Sequence, residues 1–425
     1  MTALKGCASV AQGSSPVAKI RVLQVCDHLG WEGSRMHGVK RLFAWMIPRF
    51  DRDRFEVSLV SLRKKDLSEE TLDALGIDIT YLHRSKFDPA TLPALLKIID
   101  QKKIDVLHLH GYGATTFGRM AAAMRGIPAI LHEHANLTDT PWFQKIADRV
   151  LERYTDIAIA VSKSTAEFVV NARLVRPEKV KVVYLGAPHD EFSRTRSADE
   201  VAASRRDLGL YPGEVAIGTV TRLHDSKGNS YLVDAARLVI DRKPNAKFFL
   251  VGEGPLRESL EEQARRLGLG DRFVFVGFAR DVADVLSAFD LSVFPSLWEG
   301  TPLTAFEALA SGKPIVATDA DGLLDILTDG RDARIVPKRD APALAHAIVD
   351  LIDRPDERHR LSAAARVTSQ RYDITSFVRK MEQLYTILCN RSHATKGPRG
   401  PMIADVSFLD DGASGAVRGD PATHQ

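Results

Sequence analysis

Short aliphatic and β-branched runs alternate along the chain with longer stretches whose apolar positions recur every three or four residues. The first run, "KIRVLQVCD" (19–27), is a short β-branched run that reads as a buried parallel strand. A glycine-bearing loop, "HLGWEGSRMHG", and a helical segment, "VKRLFAWMIPRF", come next. Strand-like runs recur at "FEVSLVSL", "DVLHLHG", "AILHEHA" and "DIAIAVS", separated by helical patterns such as "PATLPALLKIIDQKK" and "ATTFGRMAAAMRG". This alternation predicts a doubly wound α/β domain over residues 19–190.

A polar stretch, "SRTRSADEVAASRRDLGLYPGE", interrupts the pattern, and residues 191–212 read as an interdomain linker. The alternation then resumes with "VAIGTVTRL", "AKFFLVGEG", "RFVFVGF", "DLSVFPS" and "KPIVATD", which predicts a second α/β domain over 213–370. Two Rossmann-like domains create a cleft at the carboxyl ends of their sheets, where open α/β sheets bind ligands. In "YDITSFVRKMEQLYTILCN", Ile374, Phe377, Met381, Leu384, Tyr385 and Leu388 fall at helical spacing, so one amphipathic helix is expected over 371–391. Residues 1–18 and 392–425, rich in Gly, Pro, Ser and Asp without period, are expected to be disordered.

Composition narrows the function. The 425 residues, 44% of them hydrophobic, suffice for two domains with cores of their own. A net charge of +3 with 27% charged residues gives no reason to posit a nucleic-acid groove, so any anion chemistry is local. Cys7, Cys26 and Cys389 lack metal-ligand spacing and read as structural thiols of a reducing compartment. No run reaches the ~20 apolar residues that cross a bilayer. The expectation is a soluble cytoplasmic protein, with peripheral contact at the inner face of the membrane compatible with it.

The chemistry concentrates in "FPSLWEGTPLTAFEALASGKPIVAT", which sets Glu299 and Glu307 among residues that otherwise read as core. Thr301 suits an N-cap and Pro302 a first helical position, so a helix is expected from Pro302 to near Gly312. Glu299 then precedes a helix N-terminus, a ready phosphate site. Glu307 lies inside the helix on a face shared with Thr304, Ala308 and Ser311, where a vicinal diol could donate two O–H groups to its carboxylate. The alternative is structural, with Glu299 capping the helix and Glu307 pairing with a distant arginine. In "IGTVTRLHDSKG", Arg222 and Lys227 follow a strand and could neutralise a diphosphate. "VGEGPLR", with Gly252, and "VGFARD" are glycine turns that line the cleft and lack the dinucleotide fingerprint. His108, His110, His132 and His134 alternate along two strands, a spacing that would allow a metal site. Without a suitable carboxylate or cysteine beside them, a hydrogen-bonding histidine at the cleft is the better reading, with His108 and His132 in the core.

Together these residues resemble the retaining family 4 glycosyltransferases of GT-B architecture. "EGTPLTAFEALASGKPIVAT" is similar to the family's E-x7-E motif and "GTVTRLHDSKG" to its Arg/Lys diphosphate motif. "VGEGPLR" resembles the loop that follows, and "VVYLGAPHDEF" the interdomain strand and turn; the resemblance covers roughly 19–391. It implies a nucleotide-diphosphate sugar held mainly by the second domain. Glu307 would accept the ribose hydroxyls, and Glu299 with the backbone of Gly300, Thr301, Pro302, Leu303 and Thr304 would face sugar and phosphate. Arg222 and Lys227 would bind the diphosphate, and His110 would reach the sugar from the first domain. Gly33 retains the second glycine of a family Gly-Gly pair, Glu32 replacing the first, and Asp325 stands where the family usually has Glu. The resemblance also implies retention of anomeric configuration, no metal or other cofactor, and a glycan or lipid-linked acceptor. Other enzymes of this architecture, an epimerase or phosphorylase, and a degenerate nucleotide-sugar-binding protein are the rival readings.

Overall fold

The computed structural model describes residues 18–29, 38–65, 70–136, 141–394 and 406–411. Seven strands form the first sheet: β1 (Ile20–Cys26), β2 (Phe55–Ser61), β3 (Ile79–Tyr81), β4 (Val106–His110), β5 (Ala129–Glu133), β6 (Ile157–Ala160) and β7 (Val180–Val182). Their spatial order is β3-β2-β1-β4-β5-β6-β7. Six strands form the second: β8 (Val215–Val220), β9 (Ala246–Val251), β10 (Phe273–Gly277), β11 (Leu291–Phe294), β12 (Ile315–Thr318) and β13 (Arg334–Val336), in the order β10-β9-β8-β11-β12-β13.

Every pairing is parallel. Helices cover both faces, which is why β4, β5, β6 and β9 are buried throughout. The order reverses between β1 and β4 and between β8 and β11, so each sheet has a switch point where loops diverge and a ligand can enter. The two Rossmann-like domains of a GT-B fold are therefore present. β3 and β13, three residues long at sheet edges, carry no periodic pattern to predict them.

Two expectations need correction. The stretch read as a linker contains a helix, Ala198–Asp207, with a capping box between Ser197 and Glu200. None of its residues is buried; ion pairs hold it to the second domain, Arg196 with Asp284 at 3.0 Å and Arg205 with Asp290 at 3.1 Å. Polarity disguised it, although Ser-x-x-Glu is the sequence signal of such a cap. The tail is ordered at 406–411, where Val406 and Leu409 are buried and Asp411 accepts from the Tyr184 amide at 3.0 Å. The rest of both expected disordered segments, apart from Ala18 and the end of the last helix, lies outside the described residues.

That last helix, Ile374–Ala394, packs on the first domain. Its Tyr385 ring lies 5.8 Å from Phe50 and its hydroxyl accepts from Gln24 of β1 at 2.9 Å. The first and second domains are thus closed by a strap from the chain's end. Among the described residues, no helix is long and apolar enough to cross a membrane.

Candidate active site

Glu307 sits in the helix Leu303–Ala310, whose Ala- and Leu-rich sequence is buried from Ala305 to Ala310, Glu307 included. The helix starts one residue later than expected, with Pro302 at its N-cap. Thr301 does not cap it; its hydroxyl donates across the cleft to the Val161 carbonyl of the first domain. At the other end Gly312, at φ +63°, turns the chain so that Gly312 and Lys313 amides reach the Leu309 and Ala308 carbonyls. The first-turn amides at Leu303 and Thr304 have no acceptor within the helix, and no side chain caps them. Pro302 has no N–H to contribute.

The Glu307 side chain is fully buried, and Arg41 Nη2, from the first domain, lies 2.9 Å from its Oε1. The approach is out of line for a hydrogen bond, so neither carboxylate oxygen has a donor. Ser311 Oγ, one turn on, is also buried without a partner. Burial raises the carboxyl pKa to about 7, with Arg41 pulling it down and Glu191 pushing it up. Arg41 itself is oriented by aromatic rings, its guanidinium carbon 4.9 Å from the Trp45 ring centre and 5.9 Å from that of Phe192. The structural alternative for Glu307, a distant arginine, is therefore partly realised. Nothing in the helical pattern of "VKRLFAWM" marks Arg41 as that partner, because the pairing is tertiary.

Glu299 is buried beside Lys227, whose Nζ is 2.5 Å from Oε2, while Ser296 Oγ donates to Oε1 at 2.7 Å. Two residues expected on different parts of a donor thus neutralise each other in the free protein. Arg222 is exposed by surface area and makes no ion pair among the described residues; the protein crowding its guanidinium lowers its pKa by partial desolvation, and the nearby Glu299 charge opposes that lowering. A short turn, Asp225–Lys227, ended by Gly228, carries Lys227 back to this cluster. Gly252 follows β9 at φ +139°, where a Cβ would stand 1.9 Å from the Thr221 carbonyl oxygen. Only glycine lets that turn press against the strand end that presents Arg222. Gly300 is as tightly placed, since a Cβ there would lie 2.4 Å from the His134 carbonyl oxygen of the first domain.

The four histidines form one buried hydrogen-bonded circuit with Gln24 and Tyr385. Gln24 Nε2 donates to the Tyr385 hydroxyl at 2.9 Å, which leaves its carbonyl oxygen to accept from His110 Nε2 at 2.8 Å. His110 Nδ1 then accepts from His134 Nε2 at 2.8 Å. The Tyr385 hydroxyl meets His108 Nδ1 at 2.7 Å, and His108 Nε2 meets His132 Nδ1 at 3.1 Å. Both nitrogens of His110 are therefore occupied, and His134, half-buried and against the Gly300 loop, is the imidazole that borders the cleft. Burial holds all four rings neutral, pushing His108 down to about 3 and His134 to about 4. Ligand atoms of His108, His110 and His132 lie within 4.8 Å of one another. Their rings stack, with interplanar angles of 23° and 18° from His108 to the other two. Both nitrogens of His108 and both of His110 are already engaged in the hydrogen bonds above, an arrangement that suits a hydrogen-bonded network better than a metal. Spacing alone could not reveal the circuit, because Gln24 and Tyr385 come from opposite ends of the chain.

Asp325 has an interdomain role: its Oδ2 accepts at 2.6 Å from the amide of Lys163, the first residue of the helix Lys163–Asn171. Gly33 and Glu32 lie outside the described residues. Of the remaining expected site residues, Gly300, Thr301 and Glu307 meet first-domain atoms, at the His134 and Val161 carbonyls and at Arg41, while Lys227 is held to Glu299 within the second domain.

Residues 36–191 match the family model described as Glycosyltransferase Family 4, and residues 214–354 match that of Glycosyl transferases group 1. An Escherichia coli relative, UDP-Gal:alpha-D-GlcNAc-diphosphoundecaprenol alpha-1,3-galactosyltransferase, is 24% identical over 332 residues, covering 75% of this chain and 85% of its own. Among solved structures, Anabaena HepE in complex with UDP and glucose superposes with a TM-score of 0.73 at 22% identity, over 86% of this chain and 99% of its own. A glycosyltransferase from Rickettsia africae superposes with a TM-score of 0.76 at 17% identity, over 88% and 99%. These two likenesses speak for the fold. With its first half matched by one model, its second half by the other, and both sheets in place, the chain belongs to the family 4, group 1 glycosyltransferases and is a transferase of GT-B fold.

Proposed function

We propose that the protein transfers a hexosyl unit, with retention, from a nucleotide-diphosphate sugar to a glycan or lipid-linked acceptor in polysaccharide or glycolipid synthesis. The observation that carries this is Glu307, a fully buried carboxylate whose one cationic neighbour, Arg41, approaches Oε1 at 2.9 Å out of line and leaves both oxygens without an aligned hydrogen-bond donor. Such a group is costly unless a ligand supplies donors, and the vicinal hydroxyls of a ribose supply two. The UDP-Gal donor and diphosphoundecaprenol acceptor in the E. coli relative's name support the same reading.

In this reading the diphosphate displaces Glu299 from Lys227 and is held by Lys227, Arg222 and the amides of the Leu303–Ala310 helix. The freed Glu299 and His134 then face the sugar. Glycosyl transfer proceeds through an oxocarbenium-like state while charge builds on the departing phosphate, so these fixed cations and dipoles act on what develops. Retention follows if the acceptor attacks from the face the phosphate leaves, with the phosphate taking the acceptor's proton. Against an epimerase or phosphorylase, sugar-nucleotide turnover should require an acceptor. The nucleotide is identified by a thermal-shift panel of UDP-, GDP- and ADP-sugars, in which the true donor raises the melting temperature. No shift with any of them would overturn the proposal.

The fixed cations perform the charge neutralisation that other transferases assign to a divalent ion, and full activity is expected in excess chelator. Loss of activity there, restored by a divalent salt, would contradict this. Affinity for the intact nucleotide sugar should also depend on pH. The diol needs the ionised carboxylate, so binding weakens as pH falls through about 7, the Glu307 pKa in the free protein. Calorimetry across that range should give a flat profile for Glu307→Gln, and a wild-type profile equally flat would contradict the assignment.

A further inference from the structure

The helix Trp142–Leu151 is amphipathic in the reverse sense to a core-packing helix. Its buried residues are Gln144, Asp148 and Leu151, and it docks through polar contacts. Gln144 Nε2 donates to Thr116 Oγ1 at 3.0 Å, and Asp148 pairs with the buried Arg119 and Arg173. Its apolar side chains face water instead: Trp142 is 74% exposed, Phe143 44%, Ile146 55% and Val150 55%. At helical spacing these four share one face. Phe87, 45% exposed, extends it, with its ring centre 5.3 Å from that of Phe143. Single exposed apolar residues are ordinary, but a contiguous set of aromatic and aliphatic groups marks an interaction surface.

Among the described residues the charges beside this face that lack an opposite partner are positive, Asp88 next to Phe87 being paired with Arg84 at 3.3 Å. Lys145, Arg149 and Arg153 are exposed, each three residues after Trp142, Ile146 and Val150 and so along one border of the apolar stripe. Lys86 adds a fourth cation, its Nζ 5.0 Å from the Phe87 ring centre. The acids of the same segment are neutralised from within, Asp148 by the two buried arginines and Glu152 by Arg176 and Lys179. A second copy docking by the same face would oppose these cations to themselves, which disfavours self-association about a two-fold axis. An anionic bilayer complements both features at once.

We propose that this face seats the protein on an anionic lipid surface, with Trp142 and Phe143 at headgroup depth and Lys145, Arg149 and Arg153 against lipid phosphates. The face lies toward the carboxyl end of the first sheet, where Gln144 meets Thr116 near the start of the helix Tyr112–Arg125. The helix follows β5, whose end carries His132 and His134, and the Lys86–Phe87 loop lies against the helix Tyr112–Arg125, which starts just after His110. An acceptor anchored in the bilayer would thereby be offered to the cleft from the first domain. The inference extends the lipid-linked form of the acceptor reading. Vesicle binding needs neither donor nor acceptor, so the two can fail separately.

Sedimentation of the full chain with mixed phosphatidylglycerol–phosphatidylcholine vesicles tests it, alongside pure phosphatidylcholine vesicles and elevated salt. The wild type should sediment with the mixed vesicles and be released by salt. Trp142→Ser/Phe143→Ser/Ile146→Ser and Lys145→Glu/Arg149→Glu should each weaken partition more than about tenfold at an unchanged melting temperature. Failure of the wild type to partition, or wild-type partition by both variants, would overturn the proposal. So would light scattering that shows a wild-type dimer without vesicles, made monomeric by the apolar triple variant while the charge variant still binds vesicles.

Discussion

Replacing Glu307 by alanine is expected to weaken nucleotide-sugar binding by more than about tenfold, since a lost charge-assisted hydrogen bond costs ~1.5–3 kcal/mol. Stability should respond differently. The free protein keeps this carboxylate dry, without a hydrogen-bond donor and with its pKa raised to about 7. Removing such a group relieves a desolvation cost that outweighs the Arg41 attraction, since the carboxyl pKa is raised despite it. Arg41, left behind, retains its place over Trp45 and some access to water, its side chain being 15% exposed. The expected signature is therefore lost affinity at an unchanged or raised melting temperature, as when a strained functional group is removed. Calorimetry and thermal denaturation on the same sample distinguish this from misfolding. Arg222→Ala should lose comparable affinity for the diphosphate, again with little effect on stability, because its side chain is exposed and unpaired among the described residues.

The largest effect on stability is expected far from the donor pocket, at Asp148. Its carboxylate is fully buried and pairs with two equally buried guanidinium groups: Arg173 Nε lies 2.8 Å from Oδ2, and Arg119 meets Oδ1. Arg173 also reaches Glu133 Oε2 at 2.5 Å and donates to Thr115 Oγ1 at 2.7 Å. Asp148→Ala would leave two buried cations with one carboxylate, and breaking a buried pair in this way costs ~3–5 kcal/mol. The midpoint of urea unfolding should fall accordingly, with the slope little changed. Asp148→Asn keeps the shape and one acceptor but not the charge, so an intermediate loss is expected. A loss below about 1 kcal/mol in Asp148→Ala would mean that water or relaxation already screens these arginines. Because the Trp142–Leu151 helix docks through Asp148, the same substitution should also loosen the exposed apolar face.

The sequence made legible whatever follows from strong local pattern. Strands such as β1, β4, β9 and β11 are largely buried because helices cover both sides of the sheets, and their mainly apolar runs identify them directly. Edge strands β3 and β13, three residues each, offer too few positions for any period. The Ala198–Asp207 helix was obscured for the opposite reason, being held by charges rather than by an apolar stripe. In the site, Glu299, Glu307, Arg222 and Lys227 stood out because charge beside a strand end or within an apolar helix demands a partner. The identity of the partners was not legible. Arg41, Ser296, Gln24 and Tyr385 reach the site through tertiary packing, and no local spacing encodes it.

The most direct test of the donor site combines a change in ligand with a change in protein. The nucleoside diphosphate selected by the thermal-shift panel and its 2′,3′-dideoxy analogue are titrated calorimetrically into wild type and Glu307→Gln. If Glu307 accepts the ribose hydroxyls, deleting the diol costs the wild type more than about tenfold in affinity and costs Glu307→Gln much less. Equal losses in the two proteins would contradict the account, because the diol would then be recognised somewhere other than Glu307.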